Sequence, residues 1–358
     1  MSLRSFAATL ALLCAATLAS SALAASRAVY TMENAAGPNT VVVYSRAANG
    51  TLVQTQSVLT GGTGTGAGLG SQGSIALSPD GRWLLAVNAG SNDVTVFSVA
   101  GTELTPVSTV LSGGVMPISV TVHNNTVFVL NAGGTPNITG FHLTNGVLVP
   151  IPSTQKVLTG TGPAEVSFNL DGSLVVVTEK TSNTIVVFSI DAGKLIGPFI
   201  SASAGQEPFG FAFGPHNFLL VTEAFNGAPN GSSVSSYQAD AGGGLRLITA
   251  SLSTTQTAAC WLAITGNGRF AYAANAGSAS ISSYAVAPDG SLALLNGVAG
   301  STPAGSSPQD LALSAGSQYL YNLASGTISE FQIAADGSLT PIGSITGLPT
   351  STVGLQAR

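Results

Sequence analysis

Charge is the scarcest property of this 358-residue chain. Asp, Glu, Lys and Arg together make 7% of it, against about 25% in ordinary soluble domains. That scarcity excludes a charged disordered chain and a Glu/Lys-rich coiled coil. The 10 basic residues are outnumbered by 15 acids, so the basic footprint of a nucleic-acid binder is missing. Cysteine is limited to Cys14 and Cys260. Long apolar runs are confined to the N-terminus. There Arg4 is the only charge in the first 26 residues; an apolar stretch follows over residues 6–18, then Ala22-Leu23-Ala24. A basic start, an apolar middle and a small-residue cleavage site are the pattern of a secretory signal. The stretch is shorter than the roughly 20 residues of a membrane span. The expectation is a leader over residues 1–24, a single domain over 27–358, no membrane span after cleavage, and a secreted or periplasmic monomer.

Removal of the leader would leave Cys260 alone, and one cysteine cannot close an intrachain disulfide. Stability must then come from a core, which a chain of this length can supply. Cys260 precedes Trp261 with no cation near it in sequence. It reads as a small buried hydrophobe rather than an activated thiolate.

Glycine is abundant, 44 residues, and Val, Ile, Thr and Ser are frequent. Short strands with many turns fit that composition. A repeat gives it order. GSIALSPDGRWLLAVNAGSNDVTVFSVAGTEL from Gly73, AEVSFNLDGSLVVVTEKTSNTIVVFSIDAGKL from Ala164 and CWLAITGNGRFAYAANAGSASISSYAVAPDGSL from Cys260 share one frame. Each reads as strand, Asp-Gly or Asn-Gly turn, strand, Asn- or Glu-led loop, strand, hairpin, strand. One register position of the first strand recurs at Ile75, Val120, Val166, Phe211, Leu262, Leu311 and Leu355, spaced by 44 to 51 residues. Four strands in such a period are the signature of propeller blades. The chain opens on a segment like a second strand, Ala28-Val29-Tyr30-Thr31-Met32-Glu33-Asn34, and closes on one like a first strand, Thr352-Val353-Gly354-Leu355-Gln356. The prediction is therefore an all-β, seven-bladed β-propeller of four-stranded antiparallel blades, closed by a composite blade from both chain ends.

SPDGRWLLAVNAGSNDVTVFSV, recurring with a following Asp-Gly-Ser-Leu, resembles the lactonase-type seven-bladed propeller family, which includes bacterial 6-phosphogluconolactonase and the fungal carboxymuconate lactonizing enzyme. The resemblance covers the whole mature chain. It implies lactone hydrolysis and a ligand face formed by the loops that enter first strands and join second to third strands. It also implies a His, Glu and Arg set at the channel mouth, with Gly-Pro-Arg-His opening the third whole blade. The matching stretch here is Gly162-Pro163-Ala164-Glu165, so Ala164 holds the Arg position and Glu165 the His position.

On this map Asp80, Asp171, Asp191, Asp240, Asp289, Asp336 and Glu103 fall in turns on the opposite face, where Asp suits tight backbone geometry. Glu33, Asp93, Glu165, Glu179, Glu207, Glu223 and Asp310 fall on the ligand face, with Asn34, Asn88, Asn131 and Asn275 between them and Lys180 as the clear basic neighbour. Clustered acids in a concave mouth attract cations and disfavour a phosphorylated substrate, which needs Arg or Lys forks. His123 and His216 fall in first–second turns and His142 in a third strand, so neither a Ser-His-Asp triad nor a histidine zinc site is expected. A carboxylate with a raised pKa could still open a neutral lactone. Glu179, Glu223 and Glu33 are the candidate catalytic acids. Asn88, Asn131, Glu165, Lys180, Glu207, Asn275 and Asp310 are the candidate binding residues. No cofactor is required, although hard oxygen ligands permit Ca²⁺ at the mouth. The Gly68-x-Gly70-x-x-Gly73 run matches a dinucleotide fingerprint by letters only, since a strand and not a helix follows it. Residues 61–73 read as a flexible low-complexity loop. Asn49, Asn124, Asn137 and Asn230 head glycosylation sequons. Two functions remain open: a lactonase-like hydrolase of a neutral sugar or aromatic lactone, and a non-catalytic propeller that binds a carbohydrate, a cation or a protein.

Overall fold

Second strands such as Leu84-Leu85-Ala86-Val87 and Val175-Val176-Val177 are apolar on both faces and wholly buried. Such runs arise where a sheet is covered on both sides, and here each sheet is stacked between two others. The computed structural model describes residues 27–358; the expected leader, residues 1–24, lies outside the described residues. Seven antiparallel sheets follow one another around a ring in chain order. Blade 1 is composite: Val353–Ala357, Ala28–Met32, Pro38–Arg46 and Leu52–Thr63, from the channel outward. Blades 2 to 7 open with first strands Ile75–Leu77, Val115–His123, Pro163–Phe168, Pro208–Gly214, Ala259–Ile264 and Pro308–Leu313. Each has three further strands, except that the outer edge of blade 3 carries the extra short strand Lys156–Val157. No helix among the described residues is long and apolar enough to cross a membrane.

The seven register residues found in sequence all lie in first strands and are buried. The turns behave as their composition demands. Asp171 accepts from the Ser173 hydroxyl and backbone N–H, which hold its carboxyl below the usual range. Asp289 and Asp336 repeat the arrangement with Ser291 and Ser338.

The ring closes through strand pairing of the two chain ends. Val29 faces Ala357, Tyr30 faces Gln356, Thr31 faces Leu355 and Met32 faces Val353. The Arg358 N–H donates to Ala28 O at 3.0 Å, and the Thr31 hydroxyl donates to Gly354 O at 2.7 Å. Without this strand, Ala28–Met32 would present an unpaired edge to the channel, a template for association. Deleting residues 353–358 is expected to abolish cooperative unfolding and to produce concentration-dependent association. Thermal melts with sedimentation velocity check both.

Candidate functional site

A first strand is the edge of its sheet, so its channel-side N–H groups have no ladder partner. A buried N–H without an acceptor is costly. In six first strands the pairing with the second strand slips just before the register residue, as at Pro117/Ser119, Pro163/Glu165 and Pro308/Asp310. Such a bulge leaves backbone groups unpaired and re-aims side chains. In three of these strands the residue before the register position answers the need by reaching to the next blade. Ser119 Oγ accepts from Val166 N–H at 3.1 Å. Glu165 Oε2 accepts from Phe211 N–H at 2.7 Å. Asp310 Oδ2 accepts from Leu355 N–H at 3.1 Å, while its Oδ1 takes Leu311 N–H at 2.8 Å.

Glu165 and Asp310 line a channel cavity of about 270 Å³. Its wall includes Ile75, Val120, Val166, Phe211 and Leu311 of five first strands, with Gln72 at one end and Leu77 and Val122 at the other. No Lys, Arg or His lines it. Burial pushes the Asp310 carboxyl up to about 8, against two N–H donors that pull it down. Burial also raises Glu165 well above the carboxylate range; the Phe211 N–H opposes this and the charge of Asp310 adds to it.

The other acids do not converge on the channel. Glu179 ends its second strand, Leu174–Glu179, and accepts from Gly160 N–H at 3.1 Å and from the Thr184 hydroxyl at 2.6 Å. Glu223 ends Phe218–Glu223 and is fully buried. It accepts from Gly205 N–H at 2.7 Å and from the hydroxyls of Ser203, Ser233, Ser235 and Ser251. Asn88, at the same place in blade 2, binds Asn39 and Thr60 of blade 1 and Asp93 and Thr95 of its own blade. These side chains tie the loop leaving one blade to the second strand of the next. Glycines make room for them: a Cβ at Gly62, Gly114, Gly160 or Gly205 would strike Asn88, Asn131, Glu179 or Glu223. Asn131 and Asn275 donate to neighbouring acceptors, but their amide oxygens have no partner. Glu33 is half-buried; its carbonyl accepts from Ser351, and its charge raises the buried Tyr44 phenol, which burial already pushes up. Glu207 accepts from Asn226 N–H at 2.6 Å. The expectation of one acidic mouth is corrected on this point: among the described acids, Glu165 and Asp310 line the channel cavity and the others do not.

Lys180 is also turned inward, its ammonium donating to Gly70 O at 2.5 Å and standing 4.3 Å over the Phe209 ring. Burial lowers its pKa. Cys260 is buried, as expected, and burial raises its thiol to about 12. His123 and His142, apart in sequence, meet in a separate cavity of about 230 Å³ with Phe128 and Phe168. No group of three metal-ligating side chains occurs among the described residues.

Residues 61–73 contradict the flexible-loop expectation. Thr63 ends a strand, and Leu69 and Ser71 are buried. Gln72 donates through Nε2 to Leu262 O at 2.9 Å and accepts from Leu262 N–H at 3.1 Å. Sequence reading missed Gln72 and Ser119. A signal was present for the second: Ser119, Glu165 and Asp310 hold one place in three repeats.

A family model described as "Lactonase, 7-bladed beta-propeller" matches residues 24–145 and 226–354. The chain belongs to this family. The Gly-Pro-Ala-Glu stretch falls between the two matched segments. Among solved structures, this lactonase-family chain is similar to a protein from Lactobacillus plantarum, with 16% identity and a TM-score of 0.75 over 93% of this chain and 99% of that one. A putative 6-phosphogluconolactonase from Bacteroides fragilis gives 19% and 0.74 over 94% and 99%. The Pseudomonas aeruginosa periplasmic gluconolactonase gives 17% and 0.72 over 92% and 99%. At such identities these likenesses show the fold. A search of curated proteins found no match.

Two outcomes follow for stability. Glu223→Ala would strand a buried N–H and several hydroxyls, and is expected to cost about 2–4 kcal/mol, read by denaturant unfolding. The second concerns pH. Asp310 keeps its proton to about 8 when folded, against the ordinary 3.8. Its contribution is fully present below about pH 4 and is lost as pH rises toward 8. Asp310→Asn should flatten the decline in stability across that window, measured by unfolding at a series of pH values.

Proposed function

We propose that this protein is a lactone hydrolase acting on a small uncharged lactone in the channel cavity. The observation that carries the reading is the pairing of Glu165 and Asp310 in one cavity that no cation lines. Anionic lactones would meet buried carboxyls with nothing to offset their charge. Glu165, held protonated by burial, can donate a hydrogen bond to the lactone carbonyl as it becomes an oxyanion. Asp310, titrating near 8, can take a proton from an attacking water. The water oxygen bonds to the carbonyl carbon, the ring C–O bond breaks, and the leaving alkoxide takes the proton from Asp310. Each Asp310 oxygen accepts one N–H, so lone pairs remain for this exchange. The leader pattern and the similarity to a structure described as a periplasmic gluconolactonase support an exported enzyme on a neutral sugar lactone.

A second reading has its own observation. Ser119 makes the same inter-blade bond as Glu165, so both carboxyls can be structural acceptors in a propeller that binds an uncharged ligand, or a cation at the Glu165–Asp310 pair, without turnover. Hydrolysis of glucono-δ-lactone separates the two. A hydrolase shows a rate above the uncatalysed one that rises with pH toward about 8, and Asp310→Asn lowers kcat at least about 100-fold with an unchanged circular dichroism spectrum. Glu179→Gln leaves kcat within a few-fold. A background rate with every neutral lactone tested overturns the enzyme reading.

A further inference from the structure

The channel has two ends, and they differ. At the loop face, residues 64–73 run from the outer strand of blade 1 to the first strand of blade 2, yet they do not skirt the ring. Gln72 reaches Leu262 of blade 6, across the channel, through both its amide groups. The Gln72 N–H donates to Ala164 O of blade 4 at 3.1 Å. The Ser71 hydroxyl donates to Ile118 O of blade 3 at 2.8 Å, and Trp261 Nε1 of blade 6 donates to Ser71 O at 3.0 Å. Lys180 of blade 4 holds Gly70 O, and Asn34 of blade 1 holds Thr65 and Ala67. Two of the acceptors, Ile118 O and Ala164 O, are carbonyls of bulged first-strand residues. The segment is thus tied to groups that would otherwise lack partners, not resting over the opening.

The opposite end is lined by Ala76, Thr121, Ser167, Ala212 and Gln356, small or polar residues one position beyond the register residues. Ser167, Ala212 and Gln356 are partly exposed, whereas Glu165, Phe211 and Asp310 toward the closed end are buried. We infer that small uncharged molecules reach the channel cavity from the turn face, and that residues 64–73, with Gln72 across the axis, are a fixed closure of the loop face. The inference rests on the cavity being the ligand site and not on turnover there.

A cysteine reporter tests it. Ala76→Cys, in a Cys260→Ala background, is exposed to methyl methanethiosulfonate, and modification of the residue-76 peptide is followed by mass spectrometry. Ala212→Trp, at the turn-face end, is expected to slow labelling at least about ten-fold; Ala67→Trp, on the exposed side of the closure, is expected to leave it within two-fold. Ser167→Cys serves as a second reporter on another blade, so that one poorly folded variant does not decide the outcome. Labelling slowed by Ala67→Trp, unaffected by either tryptophan, or appearing only after Gln72→Ala overturns the inference. If the labelling pattern holds while no neutral lactone tested is hydrolysed above background, the access route stands and the hydrolase reading falls.

Discussion

Seven exposed strand edges face one narrow channel, and the backbone N–H groups along them must find acceptors. The ladder cannot provide these, because a first strand has a neighbour on one side only. Three blades therefore depend on a side chain of the blade before them: Ser119 serves Val166, Glu165 serves Phe211 and Asp310 serves Leu355. The same bonds that weld blade to blade put two carboxyls into the channel. Their chemistry follows from a structural need, since burial without a nearby cation makes the proton the cheapest way to neutralise them.

Local rules made the architecture legible. Asp-Gly turns, the 44-to-51-residue period of the register positions and the half-repeats at the two ends each act over a few residues or over one blade. The closure predicted from the two half-repeats at the chain ends is present, with one slip of register between Thr31 and Met32. The site was less legible. Counting strands tells on which face an acid lies, but not which way it turns. Glu179 and Glu223 lie on the expected face and turn toward loop N–H groups and hydroxyls. Glu165 and Asp310 turn along the channel because their strands bulge. Residues 61–73 look structureless by composition. Their order comes from partners such as Leu262, 190 residues away, which no window of sequence contains.

The asymmetry between the two families of acids also separates their chemistry. Glu223 sits among five donors. Asp310 and Glu165, also buried, each receive fewer donors, and burial raises both carboxyls above the ordinary range.

Gly210 stands where Glu165 and Asp310 stand in their blades, just before a register residue, and it has no side chain to offer Leu262. The Gln72 amide takes over that duty, and a Cβ at position 210 would collide with the Gln72 oxygen. Positions 72 and 210 thus form a reciprocal pair, widely separated in the chain, in which one can gain a side chain only if the other gives it up. A relative carrying Ser or Asp in the place of Gly210 would seal its own blade junction and free the side chain at position 72 from crossing the axis, while the bonds of Ser71 and Gly70 would still hold the segment in place.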